Sequence, residues 1–154
     1  MSERVILHCD LNNFFASVEC LSHPEYRDVP MAVCGSVEER HGIVLAKNEQ
    51  AKKFGVKTAE AIWEAQVKCP ELVIAPPHYD EYVKYSKLVR SIYEEYTDRV
   101  EPFGMDECWL DVSGSTLIFG SKREIADEIR RRIKRETGLT ISVGVSFNKV
   151  FAKL

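Results

Sequence analysis

The stretch RVILHCDLNNFFASVECL, residues 4–21, decides the fold because it joins a strand to a helix through an acidic residue. Residues 4–9 are rich in β-branched and apolar side chains, which predicts a short strand. Asn12 or Asn13 can cap the following helix, where apolar residues recur at 14, 15, 18 and 21. Asp10 therefore stands at the end of an apolar strand rather than on the surface of a helix.

A second stretch, VEPFGMDECWLDV at residues 100–112, predicts two strands around a tight corner at Met105-Asp106. Asp10, Asp106 and Glu107 can then form one carboxylate cluster. Like charges raise each other's pKa, and a bound cation reverses that effect. Hard oxygen ligands of this kind suit Mg²⁺ or Mn²⁺. The spacing leaves a plain alternative open, in which Asp-Glu is a solvated turn and Asp10 caps a helix.

The rest of the pattern predicts an α+β fold. The first strand and a later α-β-β-α-β series fit an antiparallel-rich sheet backed by two helices, a ferredoxin-like arrangement. The middle of the chain predicts a small inserted α/β lobe that ends at Pro76-Pro77. The other predicted elements are strands at 30–35, 43–46, 72–75 and 141–145, helices at 48–54, 79–96 and 121–138, a helix capped by Thr58 and ended at Cys69-Pro70, and a helix that starts at Asn148.

The composition is that of an ordinary globular protein. With 154 residues, 45% of them hydrophobic, the chain can bury a core without a disulfide or a metal. No apolar run approaches the ~20 residues of a membrane span, and no signal-peptide pattern is present, which predicts a cytoplasmic protein with no membrane partner. Five cysteines without a CxxC pair are predicted to be reduced, and four histidines without ligand-like spacing argue against zinc.

Four runs of sequence resemble the Y-family DNA polymerases, the translesion enzymes, and most closely their DNA polymerase IV-like bacterial branch. The runs are HCDLNNFFASVE (8–19), GIVLAKNEQAKKFGVKTAEAI (42–62), FGMDECWLDVSG (103–114) and ISVGVSFNKVFAKL (141–154). They follow the family's order and spacing and cover nearly all of the chain. The resemblance implies a palm at 1–10 and 78–154 and fingers at 11–77. It also implies a fragment from which the thumb and little finger are absent.

The resemblance implies a metal centre. Asp10, Asp106 and Glu107 correspond to the catalytic, metal-binding carboxylates, and the backbone carbonyl of Leu11 would also face a metal. The implied cofactor is two Mg²⁺ ions about 3.5–4 Å apart, with Mn²⁺ as an alternative. Asp10 and Asp106 would bridge both ions, and Glu107 would bind the ion on the primer side. Asp111, inside the W-L-D-V strand, is interpreted as structural.

The resemblance also implies a nucleotide site. Phe15 corresponds to the steric gate, an aromatic ring under the sugar that leaves no room for a 2′-hydroxyl. Successive helical residues point about 100° apart, so we expect Phe14 in the core and Phe15 beside the cleft near Asp10. From the residues alone, both rings would be assigned to the core. The backbone N–H groups of Asn13, Phe14 and Phe15 are expected to bind triphosphate oxygens at a helix N-terminus.

The fingers motif departs from the family pattern at two positions. Glu49 stands where the family often has Tyr, and Lys52 where it often has Arg. Lys52 keeps the positive charge but not the bidentate fork of arginine, so its nucleotide contact would differ. The residues alone equally suit solvated charges on a short helix. The positions that roof the nascent base pair correspond to Leu45 and Thr58.

Two functions of different classes remain open at this point. The first is a template-directed DNA polymerase that transfers a nucleotide from dNTP to a primer 3′-hydroxyl. Its partners would be primer–template DNA and dNTP, with a sliding clamp as a candidate through the missing C-terminal part. The second is a non-catalytic nucleotide- or protein-binding module derived from the same fold. The net charge of −3 and the lack of a basic stripe predict weak DNA binding, and weak or no activity, for this chain alone.

Overall fold

The computed structural model describes residues 4–35 and 42–154. The chain forms two compact units, one up to Asn12 and from Val83 to Leu154, the other from Asn13 to Tyr82. The assignment of 1–10 and 78–154 as palm and 11–77 as fingers stays a prediction. The strands are β1 (Ile6–Leu11), β2 (Met31–Cys34), β3 (Val44–Lys47), β4 (Val73–Ala75), β5 (Val100–Phe103), β6 (Glu107–Asp111) and β7 (Ile141–Ser146). The helices are α1 (Phe14–Ser22), α2 (Glu49–Lys53), α3 (Ile62–Lys68), α4 (Tyr79–Tyr93), α5 (Thr116–Phe119), α6 (Lys122–Thr137) and α7 (Lys149–Lys153).

The first unit is built on a four-stranded sheet of order β5-β6-β1-β7, in which every pair is antiparallel. This order, with β1 in the interior, is the predicted ferredoxin-like arrangement, and the predicted α+β class is confirmed. On one face of the sheet Leu7 pairs with Leu110 and Cys9 pairs with Cys108, and all four side chains are buried. The long helices supply the rest of that core, since Val89 and Ile92 of α4 and Ile125, Ile129 and Ile133 of α6 are buried.

The opposite face of the same sheet is polar, because side chains alternate between faces along a strand. His8 pairs with Trp109 and Asp10 pairs with Glu107 on this face. Helix α7 packs here against β7, and a Cβ atom added at Gly144 would overlap the backbone oxygen of Ala152. Glycine at 144 therefore permits the close approach that brings the lysines of α7 to this face.

The second unit has a three-stranded sheet of order β3-β2-β4, with β2 antiparallel to β3 and parallel to β4. Asn48 organises its centre: the Oδ1 atom accepts from the backbone N–H groups of Ala51 (3.0 Å) and Met31 (3.1 Å). Its Nδ2 atom donates to the backbone carbonyls of Tyr26 and Val29. This buried side chain thus caps α2 and joins it to β2, as a satisfied buried amide should.

Two sequence predictions about local structure were wrong, and two short elements were not predicted. Thr58 does not cap a helix, because Ala59 has a φ of 74° and α3 begins only after Ala61. Helix α4 ends at Tyr93 rather than near 96, since Glu95 and Tyr96 bond three residues back and tighten the last turn. The short helix α5 and a 3₁₀ helix, Pro24–Asp28, were not predicted. The predicted hairpin turn at 36–41 lies outside the described residues.

Candidate metal and nucleotide sites

The corner between β5 and β6 places the acidic pair next to the end of β1. The Leu11 N–H donates to the Asp106 carbonyl (2.9 Å), so the β1–β6 ladder continues through the corner. Two side chains of helix α4 hold the corner in place. Ser86 Oγ donates to the Met105 carbonyl (2.6 Å), and Arg90 Nη2 donates to the Gly104 carbonyl (2.7 Å). Asp106 is thereby held at a defined place, beside the end of the strand that carries Asp10.

The electrostatics of the carboxylates at this strand end favour the binding of a cation. Burial, and after it the neighbouring Asp106 and Glu107, raise the pKa of the Asp10 carboxyl to about 6, against smaller opposing effects of His8 and Lys153. Burial also raises the pKa of Asp106, and Glu107 adds to that rise. The carboxylates are therefore held closer together than their own charges favour.

Glu107 is the best compensated of the three acids. Its Oε1 atom lies 3.0 Å from His8 Nε2 and 3.4 Å from Lys153 Nζ. Lys153 also lies over the rings of Phe103 and Trp109, at 4.6 and 5.7 Å from their centroids. A cation from α7 thus stands beside the acidic cluster, and sequence reasoning assigned no role to either His8 or Lys153. The register gives a signal for His8, which lies two residues from Asp10 and diagonal to Glu107.

The donor set has the chemistry that a divalent cation requires, since it offers carboxylate oxygens whose mutual repulsion a cation would relieve. Within residues 4–35 and 42–154, however, no group of three or more His, Cys, Asp and Glu side chains is already spaced to hold a metal. His8 and Lys153 both contact the Oε1 atom of Glu107, so these two partners, and not a metal, set the orientation of its side chain. The prediction that the three acids share metal ions stays a prediction.

Asp111 has the structural surroundings that the sequence indicated. Its Oδ1 atom accepts from the Oγ (2.7 Å) and the backbone N–H (3.1 Å) of Ser113, and its Oδ2 atom lies 3.7 Å from Arg99. The hydrogen bonds from Ser113 and the charge of Arg99 outweigh partial burial and lower the pKa of the Asp111 carboxyl. This acid closes the turn after β6, away from the corner.

In the second unit, α1 begins at Phe14 after an Asn13 in the left-handed conformation (φ 47°). Phe14 is 5% exposed, whereas Phe15 is half-buried, so the predicted difference in burial between the two rings is confirmed. The Phe15 ring is stacked on Tyr82, with 4.2 Å between centroids and 12° between planes. The position of Phe15 beside a cleft near Asp10 stays a prediction.

The other predicted nucleotide contacts in this unit lie on exposed side chains. Glu49 Oε1 accepts a hydrogen bond from Asn13 Nδ2 (2.9 Å), so the departure from the family pattern links α2 to the start of α1. Lys47 Nζ donates to Thr58 Oγ1 (3.2 Å). Lys52 lies in the last turn of the short helix α2 and is exposed. These contacts leave a lysine beside Thr58 and an acid beside Asn13.

The remaining sequence expectations concern cysteines and membranes. The five cysteines are all free and buried, in agreement with the expectation of reduced core residues. In the part of the chain that the structure describes, no helix has both the length and the apolar character needed to cross a bilayer.

Comparisons with known proteins support the predicted resemblance. Residues 9–154 match the family model described as IMS, impB/mucB/samB family. The chain is 70% identical over 152 residues to the DNA polymerase IV of Acetivibrio thermocellus, which covers 99% of this chain and 38% of that protein. The chain therefore spans about two fifths of the length of that relative.

Solved structures give the same picture. DinB from Sulfolobus solfataricus matches with a TM-score of 0.91 and 29% identity, over 97% of this chain and 44% of that one. A Y-family DNA polymerase chimera matches with a TM-score of 0.90 and 28% identity over the same shares of the two chains. The predicted Y-family resemblance is confirmed, and so is the fold that it implied.

Proposed function

The chain belongs to the impB/mucB/samB family, and from that premise we propose that it is the catalytic part of a template-directed DNA polymerase of the translesion class. The observation that carries the proposal is the group of Asp10, Asp106 and Glu107 at the joined ends of β1 and β6, where two of the acids have raised pKa values. A structural role alone gives no reason to hold like charges together.

The reaction is transfer of a nucleotidyl group from dNTP to a primer 3′-hydroxyl. Asp10 and Asp106 would hold the divalent ions, together with Glu107 and the carbonyl of Leu11. Held by these residues, Mg²⁺ or Mn²⁺ would supply the positive charge that makes the attacking hydroxyl more acidic and offsets the charge of the triphosphate. Lys153 Nζ lies 3.4 Å from Glu107 Oε1 and supplies part of the positive charge that these acids require.

The second unit supplies nucleotide selection. The Phe15 ring excludes a 2′-hydroxyl, and the first-turn N–H groups of Asn13, Phe14 and Phe15 bind triphosphate oxygens. Lys52 contributes charge, and Thr58 borders the nascent base pair. Primer–template DNA and dNTP are the proposed substrates, a sliding clamp is a proposed partner of the longer protein, and the cytoplasm is its proposed location.

Primer extension by the longer polymerase that carries this chain tests the proposal. Asp106→Asn should abolish extension in Mg²⁺ and in Mn²⁺, because it removes the charge of one of the carboxylates that would hold the ions. Asp127→Asn is the matched control, since Asp127 lies on α6 in an ion pair with Arg130, and extension should persist. Full extension by the Asp106 variant would refute the assignment.

One observation favours the second candidate, a non-catalytic nucleotide- or protein-binding module. Glu107 already has two basic partners, His8 and Lys153, which compensate its charge without a metal. A module of this kind would bind nucleotide without extending a primer. Equilibrium binding of dNTP, measured beside the extension assay, separates the two functions.

A further inference from the structure

A buried carboxylate lies within the second unit, among residues that the proposed chemistry does not use. The Glu19 side chain is 3% exposed. Its Oε1 atom accepts the hydroxyl hydrogen bond of Tyr82 (2.7 Å) and lies 2.6 Å from His78 Nδ1. An ionised carboxylate only accepts, so His78 Nδ1 carries the hydrogen in this pair. Two donors on one oxygen give the buried charge the compensation it needs.

Tyr82 connects this carboxylate to the gate ring. Its side chain is fully buried, and its ring stacks on Phe15 at 4.2 Å with the planes 12° apart. The Tyr79 ring meets Phe15 edge-on at 5.8 Å. Stacked rings hold each other's planes, and because a phenolic O–H prefers to lie in the plane of its ring, the hydroxyl bond to Glu19 favours one orientation of the tyrosine ring. The plane of Phe15 therefore depends on contacts that begin at His78.

His78 is the accessible end of this series, because half of its side chain is exposed. It lines a cavity of about 160 Å³ together with Glu19 and Glu81. Substitutions at an exposed imidazole leave the core of the unit in place, whereas they remove a donor from Glu19. The side chain can therefore be changed in a folded protein.

We propose that Glu19 and His78 are positioning residues for sugar discrimination, which act through Tyr82 on the plane of the Phe15 ring. The proposal rests on the assignment of Phe15 as the steric gate of the proposed polymerase. A ring free to tilt leaves space for a 2′-hydroxyl, so loss of either residue raises ribonucleotide incorporation and leaves deoxynucleotide incorporation largely intact.

The first measurement needs no activity. In this chain, ring-proton chemical shifts of Phe15 report its stacking on Tyr82. We expect His78→Leu and Glu19→Gln to move these shifts and His78→Asn to restore them, because the asparagine amide places a donor near the position of Nδ1. Glu81→Gln, in the same cavity, should leave them unchanged. Unchanged shifts in both His78→Leu and Glu19→Gln would overturn the proposal.

The second measurement is the ratio of kcat/KM for dNTP to that for rNTP in the polymerase that carries this chain. His78→Leu and Glu19→Gln should lower the ratio about tenfold and Phe15→Val about a hundredfold, which correspond to about 1.4 and about 2.7 kcal/mol in relative barrier. His78→Asn should restore the ratio, which a general loss of packing would not allow. A lowered ratio in Phe15→Val with an unchanged ratio in the other two overturns the positioning role alone. An unchanged ratio in Phe15→Val overturns the gate, and with it this proposal.

Discussion

Two buried or half-buried acidic sites in this chain differ in how their charge is compensated. Glu19 has a tyrosine hydroxyl and an imidazole on one oxygen, at 2.7 and 2.6 Å. Asp10 stands beside Asp106 and Glu107, and burial and these acids raise its pKa to about 6. The protein's own hydrogen-bond donors compensate the Glu19 carboxylate, whereas the Asp10 carboxylate would be stabilised by a bound cation.

The difference separates a structural acid from a functional one. A buried charge with enough donors stabilises the arrangement around it, whereas like charges held together cost folding free energy. Glu107 lies between these cases, because Lys153 and His8 contact it directly, whereas burial still raises the pKa of its neighbours Asp10 and Asp106. Substitutions of the neighbouring residues can therefore increase or reduce the charge compensation of each acid.

The largest expected effect comes from undocking the helix that compensates Glu107. Gly144→Ala places a methyl group against the backbone of Ala152, so α7 must shift, and we expect a cost of about 3 kcal/mol in unfolding free energy. Denaturant unfolding of the chain measures it. Gly114→Ala is the matched control, since an added Cβ there has open space. Equal midpoints for the two variants would show that α7 does not dock as described.

A smaller effect is expected when Glu19 loses a donor. Tyr82→Phe keeps the stacked ring but removes the hydroxyl, and a hydrogen bond to a charged group contributes about 2 kcal/mol. The half-exposed Tyr79 provides the control Tyr79→Phe, which should change stability little. Thermal unfolding of both variants compares them. A Tyr82→Phe variant as stable as Tyr79→Phe would mean that Glu19 is not compensated through this hydroxyl.

The smallest effect is a gain in stability. Asp10→Asn removes one of the repelling charges, and since Asp10 is partly exposed and screened, we expect about 1 kcal/mol of added stability in metal-free buffer at neutral pH. The raised pKa of Asp10 means that its folded form keeps a proton that the unfolded form loses, so wild-type stability falls as pH rises from about 4 to about 6.

The pH dependence supplies the check on that gain. The stability difference between Asp10→Asn and wild type should be small below pH ~4 and reach its full size above pH ~6. Chemical unfolding at several pH values, with a chelator present, measures it. A variant that is less stable than wild type at neutral pH would show that Asp10 is already compensated in the folded chain.

Much of the first unit could be predicted from the sequence, because its strands and caps carry local signals. The apolar run before Asp10 and the Ser121 cap with Glu124 correspond to β1 and α6 as observed.

In the second unit, Thr58 led to a wrong prediction. A threonine favours a helix cap, but the positive φ of Ala59, one residue later, prevents a helix from starting there. Residue preferences for helix caps do not include such constraints from the folded structure.

The candidate metal site likewise has a part that could be predicted from the sequence and a part that could not. Strand ends and a hairpin corner left a solvated turn open as an alternative, and the family resemblance favoured the cluster in which Asp10 and Glu107 now pair. The partners of these acids could not be predicted, because Lys153 reaches Glu107 from a helix more than forty residues further along the chain. The contact between Glu19 and His78 could not be predicted either, since the two residues are distant in sequence and meet only in the folded unit.

Metal-dependent stabilisation of this chain tests the central claim most directly. Thermal unfolding at neutral pH, with Mg²⁺ or Mn²⁺ titrated into chelator-treated protein, should show a rise in midpoint as the ion binds the folded state. The rise should disappear in the double variant Asp10→Asn with Asp106→Asn and persist in Glu81→Gln. A rise of the same size in the double variant, or none in wild type, would contradict the claim that these carboxylates are held for a divalent ion.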